Sequence, residues 1–298
     1  MWVKASGQIS DNVYQIATPV SSHFLVADET AVLIDSSISA VHGRLIEELE
    51  RHVPGGDGFT HVLLTHVHFD HIGGVPWIRR WAPDVKLVVG PLAAEQISTR
   101  AVLEAAYEKN IRAAQAMNVS LDMGVDEWCA AFTVDRILGD GDVLKLGDDV
   151  DVKLIAVPGH TPECVGYYVR PDAALVCGEA IGGYNGRDKV TSCFFGSYND
   201  YVESLEKLSR LEVKLLSLPH GGALTGELVT RFLSEARREA ERFHSMVKER
   251  IEQGELIDEI VLSMLPEWTS QNICPEGPFA EEQEAALRAQ IHSVAKTL

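Results

Sequence analysis

Residues 65–74 read Thr65-His66-Val67-His68-Phe69-Asp70-His71-Ile72-Gly73-Gly74, so three histidines and one aspartate fall within the six residues from His66 to His71. An apolar run, His61-Val62-Leu63-Leu64, leads into the segment. Imidazole and carboxylate at this density have one common physical use, which is holding divalent metal. His66 and His68 are two apart, so on an extended segment they point the same way. Asp70 and His71 follow where the chain turns out of the strand, and they can face a second point nearby. One segment is therefore expected to serve two adjacent metals. A fold built on this chain must end a strand beside such a site.

Three later segments have the same character. They are Pro158-Gly159-His160-Thr161-Pro162, Cys177-Gly178-Glu179-Ala180 and Leu218-Pro219-His220-Gly221-Gly222. Together with His66-x-His68-x-Asp70-His71, they resemble the metallo-β-lactamase superfamily over roughly residues 8 to 226. That family includes glyoxalase II, lactonases and many thioesterases. The stretch Tyr201-Val202-Glu203-Ser204-Leu205-Glu206 and the helical tail are similar to the quinolone-signal response thioesterases in particular. The resemblance implies an αββα sandwich, an α/β fold of two mixed sheets packed face to face with helices outside. It also implies a ligand set. His66, His68 and His160 would take a first metal, Asp70, His71 and His220 a second, and Glu179 would bridge.

The residue types suit these roles without the family. Gly159 permits an unusual backbone angle, and the two prolines stiffen the loop around His160. Leu215 to Leu218 reads as a short buried strand that delivers His220 into a glycine-rich turn. Two departures from the family pattern stand out. Glu179 replaces the usual aspartate and is longer by one methylene, roughly 1.5 Å. It can bridge if the backbone sits back, or bind one metal only. Asp35-Ser36-Ser37 stands where the family has Asp-x-Gly. Asp35 reads as an acceptor that orients a ligand histidine, or as a turn residue. The remaining histidines lack such settings, apart from His23 in Ser21-Ser22-His23-Phe24, a place near the active site in family members.

The chain of 298 residues is 46% hydrophobic and can bury a large core. With 26 basic and 44 acidic residues its net charge is −18, which argues against nucleic acid as a partner. The sequence has no apolar stretch of about 18 residues, so no membrane span is expected. The N-terminus lacks a signal-peptide core. Five cysteines without C-x-x-C spacing fit reduced thiols in a cytoplasm. Cys177, in the run Ala173 to Cys177, reads as core.

Periodicity gives strands at Val13–Ile16, Phe24–Val26, Ala31–Ile34, 61–65 and 86–89, with helices over 39–53 and 73–81. Residues 91–132 read as a helical insertion beside the site, without ligand candidates. Strands return over 133–179, and 198–210 is a helix. Residues 1–225 are expected to form the main domain and 226–298 a helical extension. Its helices would cover 226–252, 255–265 and 280–297, with Pro266, Pro275 and Pro278 punctuating the last gap. The tail is expected to wall the pocket, with Phe243 or Met264 as candidate lining, and to offer a possible homodimer surface.

The function implied is a metal-dependent hydrolase. Two divalent ions (zinc, or iron or manganese) lower the pKa of a bound water from 15.7 to about 7, giving a bridging hydroxide at neutral pH. The expected substrate is a small thioester, then a lactone or other ester, then a phosphodiester. Asp70 and Tyr184 are candidate catalytic residues, Tyr184 as an acid or hydrogen-bond donor. A di-iron redox enzyme or a regulatory binding protein on the same fold is the alternative.

Overall fold

The computed structural model describes residues 1–184, 189–271 and 282–298. Its frame is two seven-stranded sheets. Across the first run β2 (Gly7–Gln8), β3 (Val13–Ala17), β4 (Ser22–Ala27), β5 (Ala31–Ile34), β6 (Phe59–Leu63), β7 (Lys86–Val89) and β8 (Arg136–Ile137). Across the second run β1 (Trp2–Val3), β16 (Gly222–Thr225), β15 (Leu215–Leu218), β12 (Ala174–Val176), β11 (Val165–Arg170), β10 (Asp151–Ala156) and β9 (Val143–Lys145). A small ribbon pairs β13 (Gly183–Tyr184) with β14 (Val190–Thr191). The first sheet is antiparallel through β5 and parallel from β5 to β8. Parallel neighbours need crossovers, and α1 (His42–His52) and α3 (Val75–Trp81) supply the first ones.

Strand alternation sorts the apolar residues into three layers. In β5, Val32 and Ile34 face the second sheet, while Ala31 and Leu33 face the helices outside. Leu45 and Leu49 of α1 join that outer layer. The far side of the second sheet packs against α7 (Tyr198–Ser209), α8 (Glu227–Glu252), α9 (Ile257–Gln271) and α10 (Gln283–Ala295). The result is the expected αββα sandwich. The tail shares its apolar core with the second sheet: Val229, Phe232 and Phe243 of α8 lie in one cluster with Leu216 and Leu218 of β15.

The insertion forms three helices, α4 (Pro91–Ile97), α5 (Arg100–Ala116) and α6 (Val125–Ala130), broken over 117–124. The helix expected over 73–81 begins earlier and is split. A short α2 (Phe69–Ile72) carries Asp70 and His71, and α3 starts at Val75. Gly73 and Gly74 lie between them, and no side chain fits at either position. A Cβ on Gly73 would lie 2.5 Å from both Asn110 Oδ1 and Ser39 N, and one on Gly74 would lie 2.2 Å from Ser36 O. Pro266 does not punctuate the tail but lies inside α9. The carbonyl deprived of its helix partner belongs to Leu262, which is exposed and can be solvated. Cys274, Pro275, Pro278 and the start of the last expected helix lie outside the described residues. The cysteines that are described, Cys129, Cys164, Cys177 and Cys193, are free thiols, and Cys177 is core as expected.

Candidate metal centre

Each site segment leaves the C-terminal end of a strand. His66 and His68 follow β6, His160 follows β10, Glu179 follows β12 and His220 follows β15. The loops that carry them are held by close packing. Gly159 has φ +137°, and a Cβ there would sit 2.3 Å from the Tyr201 backbone of α7. Glu179 rides a tight helical turn, Gly178–Ile181.

These segments assemble two groups of side chains. His66, His68 and His160 form one, and Asp70, His71, Glu179 and His220 the other; within each group the ligand atoms lie within 4.8 Å of one another. A tetrahedral site with bonds of about 2.0–2.1 Å places its nitrogens roughly 3.4 Å apart. His68 Nδ1 and His160 Nε2 are 3.1 Å apart. The Glu179 carboxylate lies between the groups. One oxygen is 2.9 Å from His220 Nε2, and the other is 3.4 Å from His66 Nε2 and 3.8 Å from His160 Nε2. Asp70 is 3.2 Å from His220 Nε2. All seven metal-ligand candidates from the sequence are thus brought together.

Hydrogen bonds on the far side of the rings decide which nitrogen faces the site. His160 Nδ1 donates to the Cys193 carbonyl at 2.8 Å and His220 Nδ1 to the Val20 carbonyl at 3.0 Å. His71 Nδ1 donates to Asp35 Oδ2 at 2.9 Å. Thr65 gives its hydroxyl proton to the same Asp35 oxygen at 2.8 Å, so its oxygen accepts from His66 Nδ1 at 3.0 Å. Four imidazoles therefore turn Nε2 inward. Asp35 is the orienting acceptor, one of the two roles open to it from sequence.

The electrostatics call for cations. Burial alone disfavours a charged His71, yet Glu179, Asp35 and Asp70 hold its pKa well above the ordinary histidine value. Burial also disfavours a charged His220, and hydrogen bonds to Asp70 and Glu179 raise it regardless. Burial pushes Asp70 up, but His71 and His220 outweigh it and bring the carboxyl down to about 2. In the first group, burial and then neighbouring imidazoles lower His66 strongly and His160 to about 4. That group stays neutral, as metal ligands must. The buried His66 Nε2 and Glu179 Oε2 have no hydrogen-bond partner. Such orphaned atoms are costly unless something else binds them. The residues fit two divalent ions.

A family profile described as the metallo-beta-lactamase superfamily matches residues 16–220. The chain belongs to that superfamily. Over 149 residues it is 31% identical to a hydroxyacylglutathione hydrolase of Buchnera aphidicola, covering 49% of this chain and 44% of that one. The chain therefore spans under half the length of that relative. Over 251 residues it is 26% identical to the probable metallo-hydrolase YflN of Bacillus subtilis, covering 79% of this chain and 88% of that one. A solved superfamily protein, ST1585 of Sulfolobus tokodaii, superposes with a TM-score of 0.59 at 17% identity, covering 97% of this chain and 100% of that one. This last likeness is one of fold.

The metal groups open into a cavity of about 400 Å³. Phe69, Phe195, Leu218 and Pro219 supply one part of its wall, and Trp268 with Ala285, Ala286 and Ala289 supplies the tail's part. The tail does reach the cavity, but through α9 and α10. Phe243 is instead buried in the core, its ring 5.7 Å from Phe194, and Met264 packs against the same core. Tyr184 is not among the lining residues; its ring lies 5.4 Å from Trp2 and 6.3 Å from Phe232. His23 is buried behind the second group, bonded to Ser21 Oγ at 2.8 Å, and burial with His71 and His220 lowers it to about 3.

Some site residues have no signal in the sequence. Asn110 of α5 is fully buried. Its Nδ2 donates to the Phe69 carbonyl at 3.0 Å, and its Oδ1 accepts from Ser39 N at 2.6 Å. The insertion thus pins the backbone between His68 and Asp70. Among the described residues no helix is long and apolar enough to cross a membrane.

Proposed function

We propose that the chain hydrolyses a small thioester, with a lactone or other ester as the next choice and a phosphodiester last. The observation that carries this reading is the placement of Glu179 between two ligand groups at the base of a largely apolar cavity. Glu179 would bridge the two ions, with His66, His68 and His160 on one side and Asp70, His71 and His220 on the other. Ions held there supply an activated water at neutral pH and a Lewis acid for the substrate oxygen.

The chain's own residues do the rest. Thr65, Asp35 and the Cys193 and Val20 carbonyls fix the rings, so the ligand nitrogens of His66, His71, His160 and His220 already face the site. Trp268, Phe195 and the α10 alanines exclude water and offer apolar surface to an acyl chain. A thiolate leaves without a proton. That suits a cavity whose lining does not include Tyr184, the side chain expected to give one.

Elemental analysis combined with a thioester and lactone panel tests the proposal. Turnover with zinc or manganese that disappears in His68→Ala supports it. An oxo-bridged iron spectrum without hydrolysis would replace it with the redox reading, for which the Glu179 departure is the motivating observation.

A further inference from the structure

One ion pair joins the insertion to the tail across the cavity wall. Lys109 Nζ on α5 lies 2.6 Å from Glu282 Oε2, the residue that precedes α10. Both residues line the cavity, and both are about one-third exposed, at 38% and 30%. Lys109 is the only lysine or arginine among the described lining residues. Its ammonium lies 5.5 Å from the centre of the Phe69 ring, between the ligands His68 and Asp70 in sequence. Its neighbour Asn110 is anchored in the core, so this turn of α5 is fixed relative to the metal segment.

As a tie between helices the pair is weak, because partly exposed ion pairs contribute little to stability. As a binding device it is well placed. Asp70 and Glu179 are committed to the metal groups, which leaves Glu282 as the counter-charge for Lys109 among the described lining residues. A substrate that brings its own carboxylate can take over that role. An apolar substrate meets an ammonium already neutralised.

We propose that Lys109 is a specificity-determining residue that receives a carboxylate on the substrate remote from the scissile bond, and that Glu282 holds the lysine in place until the carboxylate displaces it. This inference rests on the hydrolase reading above and names its substrate class. The carboxylate can belong to the acyl half or to the leaving half of the ester.

The test uses matched thioesters on the metal-loaded enzyme. In one series the acyl group ends in a carboxylate (succinyl, glutaryl, adipoyl) or in the corresponding carboxamide, on a neutral thiol. In the other a neutral acyl group is joined to a thiol carrying a carboxylate or a carboxamide. The wild type is expected to favour the carboxylate member of one series in KM. Lys109→Met raises that KM about tenfold, the loss of one charge-assisted hydrogen bond, and the carboxamide KM far less. Lys109→Arg retains the preference, and Glu282→Gln lowers the carboxylate KM by removing the competitor. A tie between helices alone would shift the melting temperature of Lys109→Met and leave charge preference untouched. Equal KM changes for both members in both series, or a wild type blind to the charge, would overturn the proposal. If the wild type cleaves no thioester, the hydrolase reading fails first. Lys109 is then judged by titrating glutarate and glutaramate against tryptophan fluorescence, with Trp268→Phe to assign the signal. Tighter glutarate binding that is lost in Lys109→Met sustains the assignment, and equal binding removes it.

Discussion

The most informative single substitution is Asp35→Asn. Asp35 accepts three hydrogen bonds, from Thr65 N at 2.8 Å, Thr65 Oγ1 at 2.8 Å and His71 Nδ1 at 2.9 Å. Its backbone has φ +59°, a conformation asparagine tolerates, so the substitution adds no strain. An amide keeps its oxygen toward Thr65 N, because the reverse would aim hydrogens at hydrogens. Its nitrogen then faces His71 Nδ1 and turns that atom from donor into acceptor. The ring proton moves to Nε2, which is 3.2 Å from Glu179 Oε1 and is the atom needed for metal. A protonated nitrogen cannot be a ligand. Loss of such an orienting partner costs about 10- to 100-fold in metal affinity. The exchanged charge-assisted bonds cost about 1.5–3 kcal/mol of stability. The assay is a zinc titration at buffered free metal, paired with urea unfolding at the same free metal. The same amide nitrogen also removes the acceptor of the Thr65 hydroxyl, whose oxygen accepts from His66 Nδ1, so the expected result is a folded protein with weakened zinc binding, most at the His71 group. Two equivalents at wild-type affinity would refute the tautomer argument.

Other outcomes follow from the same geometry. Protein purified without chelator should carry close to two metal equivalents, and a firm value of one after supplementation would show that Glu179 does not complete the second site. His68→Ala should abolish hydrolysis while circular dichroism stays native; wild-type turnover from such a folded variant would end the metal mechanism. Asn110→Ala removes the acceptor of the buried Ser39 N–H and the donor to Phe69, so it should cost about 2–4 kcal/mol in chemical denaturation and weaken metal binding. A change below about 0.5 kcal/mol would mean those bonds are readily replaced. Trp268→Ala should raise KM more for long acyl chains than for short ones, since each buried methylene is worth about 0.8 kcal/mol. Phe243→Ala should instead destabilise by about 3–5 kcal/mol without acyl-length selectivity, and a selective effect there would put Phe243 back in the pocket.

Local features are the legible ones in this sequence. His66, His68, Asp70 and His71 sit in one segment, so their spacing carries their geometry. His160, Glu179 and His220 are legible because each follows an apolar strand and because their order resembles a family. Val32 and Ile34 against Ala31 and Leu33 show the alternation that makes strands readable. Long-range pairing is not legible. Asn110 serves partners 41 and 71 residues away, and its charged neighbours Glu108 and Lys109 give it the look of one more polar residue on a solvated helix. The expected placing of Phe243 and Met264 fails for a related reason. Amphipathic spacing shows that a face is buried, but it does not show whether that face meets the core or a cavity.

The insertion and the tail matter to the chemistry because α5 serves both. Consecutive helical residues point about 100° apart. Asn110 can therefore enter the core and grip the Phe69 carbonyl while Lys109 faces the cavity and meets Glu282. The segment that carries His68 and Asp70 and the wall that meets the substrate are thus fixed to the same turn of helix. A shift of α5 moves the lysine and the ligand backbone together. Trp128 of α6 strengthens the connection, since its Nε1 donates to Ser39 Oγ at 3.3 Å and that hydroxyl donates to the Gly73 carbonyl at 2.8 Å. The metal segment is therefore clamped at Phe69 and at Gly73 by residues of the insertion, directly and through Ser39. With Lys109 as the proposed substrate contact, changes made to the insertion for specificity are expected to register in metal affinity as well.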